Sequence, residues 1–245
     1  MLEDTAISTQ LTGTVQRPAD LEKDARTRMF NLLNDFFENV SRGQFEQDLA
    51  EKEWVFVFAD AAGTIQGFST LMRIDMTVDG APVVAVYSGD TIIHPDYWHE
   101  LELPRIWGAH VFDLADRIHA EQPGAKVYWF LISSGYKTYR FLPVFFECFY
   151  PSYRRPTPAH EQRVLDVLAA AKFGDQYDPA AGIIRFTDSA PLRAGVAEVD
   201  ERRLKNPDIA YFVARNPGHA RGDQLACLVE IDRDNVTSAG RRMLG

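Results

Sequence analysis

Ser88, Gly89 and Asp90 stand in the middle of a run of small and β-branched apolar residues, VVAVYSGDTII. Strands of this composition are normally buried on one face or both. A carboxylate there needs a partner, and burial raises its pKa. Asp90 is therefore a candidate general base, or a group that orients an amine; the structural alternative is a hydrogen-bonded or solvent-facing aspartate. Ser88 is placed with it as a substrate-binding candidate. A second apolar run, VYWFLI, closes in Ser133-Ser134-Gly135 and is followed by Tyr136 and Tyr139. Ser133 and Ser134 at a strand end can hold a substrate carbonyl, or can serve as a turn chosen for conformational tolerance. His94 precedes a proline and so is held extended. It either faces a crevice or caps the turn. No serine here has a paired histidine at a nucleophile-elbow spacing.

These residues must be positioned by the elements around them. Apolar residues Met29, Leu32, Leu33, Phe36, Phe37 and Val40 recur at spacings of three and four, which predicts a helix starting after Asp20. Ser41-Arg42-Gly43 breaks it, and residues 44–52 read as a second short helix. Strands are predicted over residues 54–58, 65–74 and 83–93, joined by turns at Asp60–Gly63 and Asp79-Gly80. Short turns make these three strands antiparallel. Trp107, Val111, Leu114 and Ile118 share one face of a helix predicted over 103–120. A strand over 126–133 and a short helix over 136–146, broken near Pro143, come next. A proline-rich boundary at 151–158 precedes a helix over 161–172 and strands over 182–186, 209–215 and 224–231. Residues 1–15 read as a tail or an edge strand.

Composition sets outer limits. The 245 residues allow one large domain or two small ones, and 46% hydrophobic content is ordinary for a globular chain. The net charge of −9 argues against a nucleic-acid or anionic-membrane surface, so neither is expected as a partner. Two cysteines, Cys148 and Cys227, imply a reducing compartment with no disulfide framework and no metal site. With no long apolar run, the expectation is a soluble, cytoplasmic protein.

The order helix, helix, three antiparallel strands, helix, strand, short helix with a tyrosine resembles the GCN5-related N-acetyltransferase (GNAT) family over residues 15–150. Three segments carry the resemblance. Asp60-Ala61-Ala62-Gly63-Thr64-Ile65-Gln66-Gly67-Phe68 is similar to the family's second hairpin. Ile93-His94-Pro95-Asp96-Tyr97 is similar to the V-x-P-x-Y/W-R that ends its fourth strand. Ser133–Tyr139 resembles the asparagine or serine bulge and the tyrosine of its fourth helix. The resemblance implies an α/β (mixed α+β) fold: a central mixed sheet with an antiparallel meander, splayed strands and flanking helices. It implies acyl transfer from a thioester to a small amine or amino acid by direct attack. Tyr139 would be the acid that protonates the leaving thiolate.

The chain departs from the family at one place. The glycine-rich loop that holds the pyrophosphate of coenzyme A is replaced by Trp98-His99-Glu100-Leu101-Glu102-Leu103-Pro104. Two carboxylates stand where bare amides and a positive helix end are needed. No cofactor-binding residue is assigned, no permanently bound cofactor is expected, and coenzyme A should bind weakly. The co-substrate is either acyl carrier protein or acyl-coenzyme A, and Phe141, Phe145, Phe146 and Phe149 line an acyl tunnel or simply fill the core. The alternatives are a non-catalytic module that keeps the fold to bind a ligand or partner, and an enzyme of another class using Asp90, His94 and the serines. Residues 1–150 are expected to form the core, and residues 151–245 an extension packed on the same sheet.

Overall fold

The computed structural model describes residues 10–244. One mixed sheet of eight strands runs through it, in the order β1-β2-β3-β4-β5-β8-β7-β6. The strands are β1 (Thr12–Gln16), β2 (Trp54–Ala59), β3 (Ile65–Val78), β4 (Ala81–Ile93), β5 (Lys126–Ser133), β6 (Tyr177–Asp178), β7 (Ile183–Ile184) and β8 (Gln224–Glu230). β2, β3 and β4 form the expected antiparallel meander. At the β3–β4 turn Asp79 and Gly80 both take positive φ, 53° and 80°, as a tight two-residue hairpin requires. β4 and β5 are parallel, and the remaining neighbours are antiparallel.

Helices cover both faces, giving the three layers that a two-sided apolar sheet demands. One face carries α3 (Glu102–Glu121), the crossover between β4 and β5, which buries Val111, Leu114, Ala115 and Ile118. Also on that face are α4 (Tyr136–Tyr139), α5 (Phe141–Phe145), α8 (Pro207–Arg215) and α9 (Ser238–Leu244), whose apolar residues join the same core as Val84, Val86, Trp129 and Leu131. The opposite face carries α1 (Lys23–Phe36) and α2 (Arg42–Ala50) over one end, with α6 (Ala159–Phe173) over the other. A short helix, α7 (Glu201–Leu204), precedes α8.

Two expectations are corrected. Residues 209–215 are helical within α8, not a strand. Asn206 caps that helix, its side chain accepting from the N–H groups of Asp208 and Ile209, and Pro207 occupies the first helical position. Asp20 does not cap α1: residues 18–20 form a single 3₁₀ turn and α1 starts after Glu22. The N-terminal edge strand exists as β1, and the part of that expectation covering residues 1–9 lies outside the described residues. The second half completes the core sheet, because β8 pairs with β5 from Tyr128↔Glu230 to Ser133↔Leu225. Among the described residues, no helix is long and apolar enough to cross a membrane.

Candidate active site

β4 and β5 pair from Val83↔Lys126 to Ser88↔Leu131 and then part. Beyond that point β4 continues against β3 as far as Gly67↔Ile93, while β5 continues against β8 as far as Ser133. A V-shaped notch results, with Ser88 at its apex. The β3–β4 register skips at the same level. Ser69 faces Thr91 and Leu71 faces Ser88, so Gly89 and Asp90 together oppose the single residue Thr70. Two residues against one is a β-bulge, which bends a strand and re-aims a side chain. Glycine is needed in the bulge because a Cβ on Gly89 would lie 2.4 Å from the Thr70 hydroxyl and 2.7 Å from Cε of Lys52.

A cavity of about 1030 Å³ opens at the notch and is lined from both faces of the sheet. On the α3 side its walls are aromatic: Trp107, Phe112, Trp129, Phe141, Phe145 and Phe146. Ser88 lies on this side, buried, with its hydroxyl accepting from the Trp129 indole N–H at 2.8 Å. On the other side charged groups, Asp48, Glu51 and Lys52 near the end of α2, Asp90 on the bulge and Lys172 on α6, stand among apolar residues that include Phe36, Phe45 and Phe173. A loop after β7, including Thr187, Leu192 and Ala197, closes part of the rim. It is tied to the end of α1 by the Phe37↔Leu192 bridge and by Arg193, whose N–H donates to the Phe36 carbonyl at 2.8 Å.

Burial, aided by the nearby Asp48 carboxylate, pushes the Asp90 carboxyl up to about 6, against a pull downward from Lys52. Lys52 shifts the opposite way: burial and the like charge of Lys172 hold its ammonium below the usual lysine range. Glu51 is held below the ordinary carboxylate range by its bond to Lys172.

Of the residues singled out in the sequence, Ser88, Asp90 and Ser134 line the cavity. Ser133, Tyr139 and His94 are not brought to it. Ser133 is fully buried and donates to the Gly135 carbonyl at 3.2 Å. Tyr139 is fully buried on the α8 side, against Phe149 and Phe212, and its hydroxyl donates to the Pro151 carbonyl at 2.8 Å. His94 closes its own turn, with Nδ1 accepting from the Asp96 N–H at 3.4 Å. Phe141, Phe145 and Phe146 line the cavity, whereas Phe149 packs in the core beside it. Lys52 and Tyr136, which the sequence did not single out as site residues, also line it.

Glu100 and Glu102 are engaged with the chain itself. Glu100 accepts from the Leu11 N–H at 2.7 Å, and Glu102 accepts from the Gly13 N–H at 3.2 Å while pairing with Arg105 at 2.9 Å. They fasten β1 to the start of α3. Nearby, Lys137 sits over the Trp98 ring with Nζ 3.3 Å from its centroid, a cation–π contact.

No protein-family model matches the chain, and no curated protein does. Solved structures resemble it at low identity. A conserved Enterococcus faecalis protein of unknown function, described as a probable N-acyltransferase, is 17% identical, with a TM-score of 0.41 over 56% of this chain and 33% of that one. A GNAT family N-acetyltransferase from Escherichia coli, solved in complex with CoA, is 20% identical, with a TM-score of 0.38 over 56% of this chain and 69% of that one. A Trypanosoma brucei acetyltransferase is 18% identical, with a TM-score of 0.34 over 54% and 88%. The matched part of the chain spans about a third of the length of the first of these. The meander, the parallel β4–β5 pair and the parting of those two strands are the arrangement expected from the sequence.

Proposed function

We propose that this protein is an acyltransferase that moves an acyl group from a thioester to a small amine by direct attack. The observation that carries the reading is the position of Asp90: on a bulge, at the notch where β4 and β5 part, inside a cavity reached from both faces. The aromatic arm suits an acyl chain and the thiol arm of its carrier. Its size stands at the upper end of the ~300–1,000 Å³ common for small-molecule sites. The charged arm suits the amine. Asp90, with a pKa near 6, takes a proton from the amine directly or through one water. The nitrogen attacks the thioester carbonyl carbon, a C–N bond forms and the C–S bond breaks. An N–H of the bulge, outside the regular ladder, stabilises the carbonyl oxygen as charge develops. The thiolate leaves and is protonated. Tyr139 is poorly placed for that proton, since its hydroxyl is bound to Pro151 and burial pushes its pKa up. Tyr136, one turn earlier and on the cavity wall, takes the part in this reading.

The test is thiol release from acetyl- and long-chain acyl-coenzyme A and from acylated carrier protein, over a panel of amines. Turnover is expected with at least one donor, rising with pH through about 6 as Asp90 loses its proton. Asp90→Asn should lower kcat by about 10²-fold or more and abolish that rise. Absence of turnover with every donor would overturn the reading. It would leave a ligand-binding module of the same fold, which the use of Glu100 and Glu102 to fasten β1 favours.

A further inference from the structure

Lys52 is 8% exposed and lines the cavity, and its nitrogen keeps open surface there. It stands at the bulge: its Cε and Nζ are 2.7 and 3.5 Å from the point where a Cβ on Gly89 would lie, one residue before Asp90. Its Nζ is 5.6 Å from the centre of the Tyr87 ring. The other two lysines of the cavity wall are engaged: Lys172 is paired with Glu51, and Lys137 lies against the Trp98 ring. An amine is a nucleophile only without its proton. A lysine in water titrates near ~10.4, so fewer than about one in 10³ is free amine at neutral pH. Burial and the like charge of Lys172 bring Lys52 below that range, against upward pulls from Asp48, Asp90 and Glu51, and enlarge the free fraction.

We propose that Lys52 is itself an acyl acceptor: with no amine substrate in the charged arm, the protein acylates this lysine from its own thioester donor. The inference rests on the acyl-transfer reading, which puts the thioester at the notch and the attacking amine beside Asp90. Lys52 already stands in that place. Its neutral nitrogen attacks the thioester carbonyl carbon, a C–N bond forms, and the C–S bond breaks with the electron pair leaving on sulfur. The proton that the nitrogen loses passes to Asp90 and from there to the thiolate or to water. The product is an amide, too unreactive to hand its acyl group to a second amine. It neutralises one of the two lysines that share the walls with Asp48, Glu51 and Asp90, and its acyl group fills the space where the amine would sit. Self-acylation therefore closes the site to transfer.

Intact-mass and peptide mass spectrometry of the full chain test this. The chain is incubated, without an amine, with acetyl- and long-chain acyl-coenzyme A and with acylated carrier protein. With at least one donor, a single acyl group is expected on Lys52. It should form about tenfold or more faster than on any of Lys23, Lys126, Lys137, Lys172 and Lys205. That lead should vanish in denaturing urea, where all the lysines are exposed alike, and Lys52→Arg should form no rapid adduct. No adduct from any donor, an adduct spread evenly over the lysines, or one that forms first on a lysine other than Lys52 would each overturn the inference. The mapping is made on the parent chain, so it decides the matter even if Lys52→Arg fails to fold. Running the thiol-release assay on the same samples separates the two levels. Turnover with an amine while Lys52 stays unmodified in the amine-free samples removes self-acylation and keeps acyl transfer. Rapid acylation of Lys52 without transfer to any amine keeps self-acylation and removes the small-amine acceptor.

Discussion

At the scale of single residues, Asp90 is a carboxylate that the fold holds in an unfavourable place. An unfolded aspartate titrates near ~3.9, and Asp90 in the fold near about 6. The folded state thus binds the proton more tightly. Its contribution to stability is complete below pH ~4 and is lost as the pH rises through about 6. Asparagine cannot ionise, so Asp90→Asn should be stabilised relative to the parent at pH 8 compared with pH 4, on the order of 2 kcal/mol. Urea denaturation at both values checks this, and a pH-independent difference would show that Asp90 is not desolvated. The residue was legible in the sequence because a carboxylate amid VVAVYSGDTII had nowhere ordinary to go. Lys52 was not, because Glu51-Lys52-Glu53 reads as a solvated charge run at a helix end. Only the close approach of Lys52 to Gly89 reveals it as buried. Tyr139 could not be oriented from spacing alone: in a helix of a single turn either Tyr136 or Tyr139 can turn back to the strand end, and packing against Phe149 and Phe212 turns the Tyr139 ring away.

Among the elements, the loop between β4 and α3 shows two carboxylates put to structural use. The sequence marked Glu100 and Glu102 as hostile to phosphates, but it did not show what the carboxylates bond instead. The partners, Leu11 just before β1 and Gly13 within it, lie 89 residues away, and no local pattern reports them. Leu11 is 3% exposed, so removing the acceptor of its N–H leaves a buried donor unpaired. Glu100→Ala should cost about 1–3 kcal/mol and raise amide exchange along β1 before the rest of the sheet. Unchanged exchange in residues 12–16 would mean that β2 alone holds the strand. The misreading of residues 209–215 has a similar origin. Ile-Ala-Tyr-Phe-Val is rich in strand formers, but Asn206-Pro207 sets a helix start ahead of it, and the resulting helix buries Ile209 and Phe212 on one side.

Over the whole molecule, the meander, the parallel pair and the crossover helix could be read from periodicity and turn residues, since short turns leave one arrangement. The apolar faces of the second half called for a partner, either in the same sheet or as a small lobe packed on it. That β8 rather than β6 would lie beside β5 could not be read, because strand order beyond a long connection is set by packing that no local pattern records. Residues 1–150 alone would leave β5 as an open edge over six residues that now pair with β8. Such a fragment should aggregate or melt without cooperativity, as judged by sedimentation and thermal denaturation. A monomeric, cooperatively melting fragment would show that the first half is a domain in its own right.

The tie between Phe36 or Phe37 and the loop at Leu192–Arg193 has a consequence for the order of assembly. One wall of the cavity exists only when segments more than 150 residues apart in the chain have met. Contacts of such sequence separation are among the last that a chain can afford to close. A nascent or refolding molecule can therefore build its meander, with Asp90 already on its strand, while the chamber around that residue is still open to water. The power to retain a ligand belongs to the finished molecule and arrives after the strands have formed.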